Sequence, residues 1–132
     1  MIEQQFAELQ SYLRDEKGLV GNLQRLSTGG HLVIIKDVPI KNGWDRSVVE
    51  VLFLTSPGYP AAKPDCFWVS PQLRLASGAL PQNAKDGNPI PGDPNPSRPL
   101  TWFSWHLQTW DPNSDKLVTF YSAIMKRLIP AR

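Results

Sequence analysis

The chain has 132 residues with a formal net charge of +2, and 41% of its residues are hydrophobic and 20% charged. This length and composition are typical of one folded globular domain, here residues 1–132, and they exclude a largely disordered protein. The basic residues are scattered along the chain rather than clustered, which argues against a nucleic-acid partner.

The cysteine and histidine content limits redox and metal chemistry. Cys66 is the single cysteine, so no internal disulfide can form, and two histidines do not suggest a zinc ligand set. We therefore expect no metal and no cofactor. No apolar run approaches the roughly 18 residues of a membrane span, and no signal-like segment opens the sequence, so a cytoplasmic protein without a membrane partner is expected.

Hydrophobic periodicity predicts an α+β fold. Apolar residues at spacings of three and four predict an N-terminal helix over residues 2–13. Stretches rich in β-branched and aliphatic residues predict about four strands, at residues 19–27, 31–39, 47–55 and 66–70. These strands are expected to form an antiparallel meander, in which Val49, Val51 and Phe53 share one face of the sheet.

The second half of the chain is dominated by proline and then by a helical pattern. Seven prolines lie within residues 71–99, and each removes a backbone donor and fixes φ, so this segment is predicted to be a long loop. Loops of this length usually have a function, which makes it a candidate flap. A C-terminal helix is predicted over residues 115–128, capped by Asn113 or Ser114 and ended by Pro130.

Two motifs stand out within this order of elements. The strand at residues 47–55 runs into a Pro-Gly-Tyr-Pro turn at 57–60, which is followed by Pro64 and the next strand. A Trp-Asp-Pro segment at 110–112 precedes the last helix. Together with the opening helix and the meander, these motifs resemble the ubiquitin-conjugating enzymes and their compact bacterial relatives. The resemblance implies a ubiquitin-conjugating-like (UBC-like) fold with both helices on one face of the sheet.

The resemblance also implies a function and partners. Members of the family receive the activated C-terminus of a ubiquitin-like protein from an adenylating activating enzyme and transfer it to an acceptor. The bacterial relatives are associated with these two partners and sometimes with a metal-dependent isopeptidase. An alternative is a catalytically inactive adaptor of the same fold that binds the ubiquitin-like protein or the activating enzyme. A third interpretation is a tryptophan-based ligand-binding module unrelated to conjugation.

Residues 100–109 are where the resemblance implies a catalytic cysteine, and this segment has none. It contains Ser104 and His106, whose spacing of two places both side chains on the same side of an extended segment. An imidazole accepts a proton near neutral pH, so the pair predicts acyl transfer through a serine oxyester. The alternative is structural, with Ser104 bonding the backbone and His106 capping a loop or satisfying a core polar group.

Two further residues are weaker candidates. Cys66 is the only thiol, but it begins a strand-like run where the family has a core aliphatic residue, so it is expected to be buried and structural. The Leu-Pro-Gln-Asn sequence at 80–83 is the nearest match to the family's His-Pro-Asn tripeptide, although its histidine is absent and its asparagine displaced. Asn83 is therefore a candidate supporting residue.

Carboxylates and tryptophans complete the candidate site. Asp93, Asp111 and Asp115 are candidates to orient His106 or to assist an acceptor amine, and Asp111 is the nearest of them along the chain. The three tryptophans of residues 100–110 are expected to pack in the core, because no basic residue interleaves with them as in a base-stacking platform.

Overall fold

The computed structural model describes residues 2–132, which contain two α-helices and six strands. In chain order these are α1 (Ile2–Tyr12), β1 (Val20–Arg25), β2 (His31–Pro39), β3 (Val48–Thr55), β4 (Phe67–Ser70), β5 (Ala84–Asp86), β6 (Thr101–Phe103) and α2 (Leu117–Leu128). A π-helical turn extends α1, and Gly18 ends it with a φ of 67°, a left-handed conformation that favours glycine. Neither α-helix is long and apolar enough to span a membrane.

The strands form one antiparallel sheet in the order β1-β2-β3-β4-β6-β5. The first four strands are neighbours in sequence and in space, which confirms the predicted meander. The chain then leaves β4, reaches the sheet edge at β5 and returns to insert β6 between these two strands. This is the α+β layout expected of a UBC-like fold.

Four strands and both helices lie where the sequence predicts them, whereas two strands were missed. β2 has the predicted bounds, and the other predicted elements differ by one or two residues at their ends. β5 and β6 have three residues each, in the proline-rich and aromatic segments. A strand this short shows too little alternation of apolar and polar residues to be recognised from the sequence.

The predicted cap of α2 is wrong. α2 begins two residues later than predicted, and neither Asn113 nor Ser114 caps it, because residues 111–115 form a turn of their own. Instead the backbone N–H of Lys116 donates to Thr119 Oγ1 at 3.0 Å. The N–H group just before the helix is therefore satisfied by a threonine hydroxyl from the helix's own first turn.

The two helices cover one face of the sheet. Val49, Val51 and Phe53 all point to this face, as the alternation in β3 predicts. Phe53 meets Phe120 of α2 edge-on, with ring centroids 5.0 Å apart. The fully buried side chains of this core come mainly from both helices, the π-helical turn and strands β2, β3, β4 and β6, and they include Leu9, Leu13, Val33, Ile35, Val51, Phe53, Phe67, Val69, Phe103, Leu117, Phe120 and Ile124.

The proline-rich segment covers the other face of the sheet. Ile90 and Leu100 pack there against Leu52 and Trp68, and the Trp68 indole N–H donates to the Asn88 carbonyl oxygen at 2.7 Å. The prediction of a flap is therefore wrong for residues 88–100, which form a second layer packed against the sheet. The reason is that β2 and β3 are apolar on both faces, so the second face also needs a cover.

A buried threonine ties the loop to the two short strands. Thr101 is fully buried, and its hydroxyl donates to Asp86 Oδ1 at 2.8 Å and accepts from the Leu73 N–H at 3.0 Å. Asp86 also forms an ion pair with Arg74. The hydrogen bonds from Arg74 hold the pKa of the Asp86 carboxyl below its ordinary value. This network fixes β5 against β6.

Replacing Ile90 tests whether the loop is a structural layer. Ile90→Ala removes a side chain that is 3% exposed, so we expect a loss of about 2–4 kcal/mol in the free energy of unfolding. Leu80 is 46% exposed in the same loop, and Leu80→Ala should change it by less than about 0.5 kcal/mol. Urea denaturation measures both values. Equal small effects would show that the loop does not pack on the sheet.

Replacing Asp86 tests the threonine network and its pH dependence. Asp86→Ala should lower the free energy of unfolding by about 1.5–3 kcal/mol at pH 7, the range for hydrogen bonds to charged groups. The folded-state pKa of Asp86 is lowered, so its stabilisation is full above the ordinary aspartate range and is lost as pH falls through the folded pKa. The difference in the free energy of unfolding between Asp86→Ala and the native protein, measured by urea denaturation at each pH, should therefore become smaller in acid.

Asp15→Ala provides the control for this comparison. Asp15 pairs with Arg14 on the surface, where both side chains are about two-thirds exposed, 65% and 67%. Such pairs contribute little, so this variant should match the native protein at every pH. A difference for Asp86→Ala that stayed constant down to strong acid would contradict an ionic contribution.

Candidate active site

Ser104 and His106 follow β6 on an extended segment, and their side chains meet. Ser104 Oγ lies 3.2 Å from His106 Nε2, so the predicted same-side arrangement is confirmed. Ser104 is half-buried and His106 is exposed. A hydroxyl and an imidazole at this distance can exchange a proton, and both remain within reach of a macromolecular substrate.

Asp65 provides the third group of this cluster, and sequence reasoning missed it. Its Oδ1 lies 2.6 Å from His106 Nδ1. Because a carboxylate only accepts hydrogen bonds, Nδ1 carries the ring proton and Nε2 presents a lone pair to the Ser104 hydroxyl. We call Asp65, His106 and Ser104 the triad. Its hydrogen-bonding order is that of a nucleophile, a base and an orienting acid.

Backbone hydrogen bonds on both sides of β6 hold the triad in place. The Cys66 N–H donates to the Trp105 carbonyl oxygen at 2.9 Å, which extends the β4–β6 ladder and brings Asp65 beside His106. On the other side, the Ser104 N–H donates to the Asn83 carbonyl oxygen at 2.8 Å. The segment carrying Ser104 is therefore fixed through the main chain of two neighbouring strands.

Cys66 is half-buried, so the prediction that it is a buried residue is wrong. It precedes β4 with a φ of 61°, a left-handed conformation that turns the chain away from the regular strand. Its side chain thereby lies beside Asp65 and His106 instead of in the core. Burial, and to a smaller extent the Asp65 charge, raise the pKa of the Cys66 thiol against the opposing backbone hydrogen bond at Trp105. Its thiolate is therefore disfavoured near neutral pH.

The other predicted supporting residues have different positions. Asn83 is exposed, and it contacts Ser104 through its carbonyl oxygen. Asp111 Oδ1 accepts from the Asn113 N–H at 2.9 Å, and its own N–H donates to Asp115 Oδ2 at 2.7 Å. These two carboxylates thus organise the turn before α2. The carboxylate that contacts His106 is that of Asp65.

Asp93 belongs to a different part of the molecule. It receives hydrogen bonds from Arg98, which also pairs with Glu50 of β3 at 3.3 Å. These contacts attach the proline-rich segment to the sheet face away from the helices. Asp93 therefore stabilises the second layer.

The two motifs of the resemblance contact each other. The Trp110 indole N–H donates to the Pro60 carbonyl oxygen at 2.7 Å, and the Trp110 and Tyr59 ring centroids are 6.0 Å apart. The Tyr59 hydroxyl donates to Gln5 of α1. Trp102 and Trp105 also pack against the two cores. The tryptophans are packing residues, as expected from the sequence.

A groove beside His106 leads away from the triad along α2. It has a volume of about 660 Å³ and lies between residues 105–109 and the α2 side chains. Val118, Ala123 and Leu107 contribute its apolar surface, and Thr119 and Ser122 contribute hydroxyls. We call it the α2 groove. His106 is the triad residue that lines it.

The same strand pairing assembles a set of metal-binding groups. The ligand atoms of Asp65, Cys66 and His106 all lie within 4.8 Å of one another. Three protein ligands can suffice for zinc when water fills the fourth position, so these groups are a candidate metal site that the composition did not indicate.

The accessibility of Cys66 can be tested by alkylation of the native protein. We expect iodoacetamide to modify Cys66 completely without unfolding, because the side chain is half-exposed. The reaction should be slower than that of a free thiol near neutral pH, since the raised pKa leaves less thiolate. Its rate should keep rising with pH after the free thiol has levelled off. Mass spectrometry of the intact protein follows the reaction.

Asp65→Asn is the matched variant for this measurement. It removes the carboxylate charge beside the thiol, so alkylation at a given pH should become faster. Protection of Cys66 until denaturant is added would instead show that it belongs to the core.

The comparisons with known proteins identify the family. A family model described as Prokaryotic E2 family E matches residues 10–131. The search of curated proteins and the search of solved structures each gave no match. Because the matched residues include all six strands, α2 and the whole triad, the chain belongs to Prokaryotic E2 family E, an E2-like family consistent with its UBC-like layout.

Proposed function

We propose that this protein carries a ubiquitin-like protein as an oxyester on Ser104. It receives the activated C-terminus from an adenylating activating enzyme and transfers it to an amine acceptor. The family supports a conjugating-enzyme-like role in general. The observation that carries the serine assignment is the triad, in which the Ser104 hydroxyl faces an imidazole whose other nitrogen is held by a carboxylate.

The proposed reaction has two steps, acylation of Ser104 and transfer of the acyl group to an amine. In the first, Ser104 Oγ bonds to the activated carbonyl carbon, and the bond from this carbon to the activating group breaks. His106 Nε2 takes the serine proton and returns it to the leaving group, while Asp65 stabilises the imidazolium. In the second step, an acceptor amine displaces Ser104, which regains a proton. The product is an amide, and the triad returns to its starting state.

Two observations favour Ser104 over Cys66 as the nucleophile. Ser104 Oγ lies 3.2 Å from His106 Nε2, whereas no hydrogen bond joins the Cys66 thiol to the imidazole among the described residues, although their ligand atoms lie within 4.8 Å of each other. The raised pKa of Cys66 also disfavours its reactive thiolate. The α2 groove supports the proposal because it gives the C-terminal tail of a ubiquitin-like protein an approach to the triad.

A reconstituted reaction tests the proposal. The protein is incubated with ATP, an activating enzyme and a ubiquitin-like protein from the same organism, and the adduct is measured as intact mass. We expect a 1:1 adduct that survives thiol reductants and is cleaved by mild base or hydroxylamine. Ser104→Ala should abolish it, whereas Cys66→Ser should retain it. Ser104→Cys should restore it as a thioester.

The base and the acid have separate expected effects. His106→Ala should slow adduct formation by about 10²–10⁴-fold, the usual contribution of a general base. Asp65→Asn should cause a loss of the same order, because an amide N–H facing Nδ1 favours the tautomer without a lone pair at Nε2. His31→Ala and Asp15→Asn are matched controls, since these residues lie outside the triad, and should react like the native protein.

The alternatives predict different outcomes. An adduct that persists in Ser104→Ala and disappears in Cys66→Ser would assign the nucleophile to the cysteine. Binding of the ubiquitin-like protein or the activating enzyme without any adduct would instead support the catalytically inactive adaptor.

A further inference from the structure

Asp65, Cys66 and His106 bring a carboxylate, a thiol and an imidazole together at the surface. Their ligand atoms lie within 4.8 Å of one another, although His106 is 41 residues away from Asp65 in the sequence. Carboxylate oxygen, thiolate sulfur and imidazole nitrogen are the three ligand types that zinc takes in proteins. A thiolate ligand also discriminates against Mg²⁺ and Ca²⁺, which prefer oxygen.

The distances are close to those of a tetrahedral zinc site. With bonds of about 2.0–2.3 Å, neighbouring ligand atoms around zinc lie about 3.3–3.6 Å apart. His106 Nδ1 and Asp65 Oδ1, now 2.6 Å apart, would separate by less than about 1 Å to accept the ion. Both side chains are about half exposed, at 51% and 49%, so rotation about their side-chain bonds can provide this adjustment.

The charges of the three groups also match zinc. A carboxylate and a thiolate together balance the two positive charges of the ion, while a neutral imidazole supplies the third bond. Binding releases one proton, from the Cys66 thiol. Three protein ligands leave the fourth position of the tetrahedron to water, the arrangement of an open site.

We propose that Asp65, Cys66 and His106 bind one Zn²⁺ ion, and that this ion switches off the Ser104–His106 pair. The ion occupies the side of the ring where Nδ1 faces Asp65. The single ring proton then moves to Nε2, which donates to Ser104 Oγ and has no lone pair to accept the serine proton. The same imidazole thus serves as the base of the metal-free triad or as a zinc ligand, but not as both. The switch rests on the proposed function, whereas zinc binding does not.

Metal titration of the purified protein tests the site directly. We expect one Zn²⁺ per chain in competition with a chromophoric chelator, and no competition by Mg²⁺. Co²⁺ should give a thiolate-to-cobalt charge-transfer band and tetrahedral visible bands. Cys66→Ser and His106→Ala should each weaken zinc binding by at least about 100-fold, since loss of a direct ligand exceeds the 10–100-fold effect of an outer-shell group.

Matched controls separate the site from general metal binding. His31→Ala removes the other histidine and Ser104→Ala removes the nucleophile, and both should bind zinc like the native protein. Binding that is the same in Cys66→Ser would overturn the site. So would the absence of the thiolate-to-cobalt band in the native protein, a result that does not depend on any variant folding.

The adduct assay tests the switch. Zinc at a saturating concentration should slow adduct formation by the native protein by about 10²–10⁴-fold, the contribution of the lost base, and a chelator should restore it. Cys66→Ser keeps the triad but lacks a zinc ligand, so its reaction with the same activating enzyme should not respond to zinc. Equal inhibition of this variant would overturn the switch. If no adduct forms without zinc, the proposed function and the switch both fail, and the titration alone decides the metal site.

Discussion

The pairing of β4 with β6 is the constraint on which the candidate site depends. Phe67 and Phe103 are directly opposite in this pair, and their rings stack with centroids 4.8 Å apart inside the core. The stacked rings fix the register of two short strands whose own hydrogen bonds are few. One residue before Phe67 and one after Phe103, the chain reaches the surface at Cys66 and Ser104. The triad is therefore assembled at the point where a buried strand pair meets solvent.

The two-sided burial of the sheet makes this arrangement rigid. α1 and α2 cover one face, and the proline-rich segment covers the other. Prolines suit that second layer because they limit the freedom of the unfolded chain and leave few backbone donors to satisfy. Thr101 is buried in β6, where its hydroxyl bonds to Asp86 of β5 and to the backbone N–H of Leu73. It therefore links β6 both to the edge strand and to the segment that follows β4. Packing on the two faces thus supports the strand that carries Ser104.

Electrostatics distinguish the two nucleophilic side chains at the site. Ser104 lies on the Nε2 side of His106, where the lone pair is, and Cys66 lies near the carboxylate that occupies the Nδ1 side. A negative charge close to a thiol disfavours the thiolate, whereas a carboxylate that accepts from Nδ1 leaves the lone pair of the neutral imidazole at Nε2, toward the hydroxyl. Asp65 therefore has opposite effects on the two groups. A metal ion would reverse this preference by neutralising the carboxylate and stabilising the thiolate.

The sequence by itself determined the α+β class, the first four strands, both helices and the shared side of Ser104 and His106. These features depend on local periodicity, which a stretch of several residues contains within itself. It also determined which side chains of β3 share a face of the sheet, because the alternation of side chains along a strand assigns Val51 and Phe53 to the same side. Family motifs at residues 57–60 and 110–112 gave the layout as a whole.

Only the tertiary structure decided the features that depend on residues far apart in the chain. β5 and β6 are stable through pairing with each other and with β4, and three residues are too few to carry a pattern. Asp65 becomes the partner of His106 through that pairing, across 41 residues, and no local signal marks it. The exposure of Cys66 is decided by its left-handed backbone at the start of β4, whereas its residue type suggested burial. A pairwise contact set by sheet register cannot be read from either of its two segments alone.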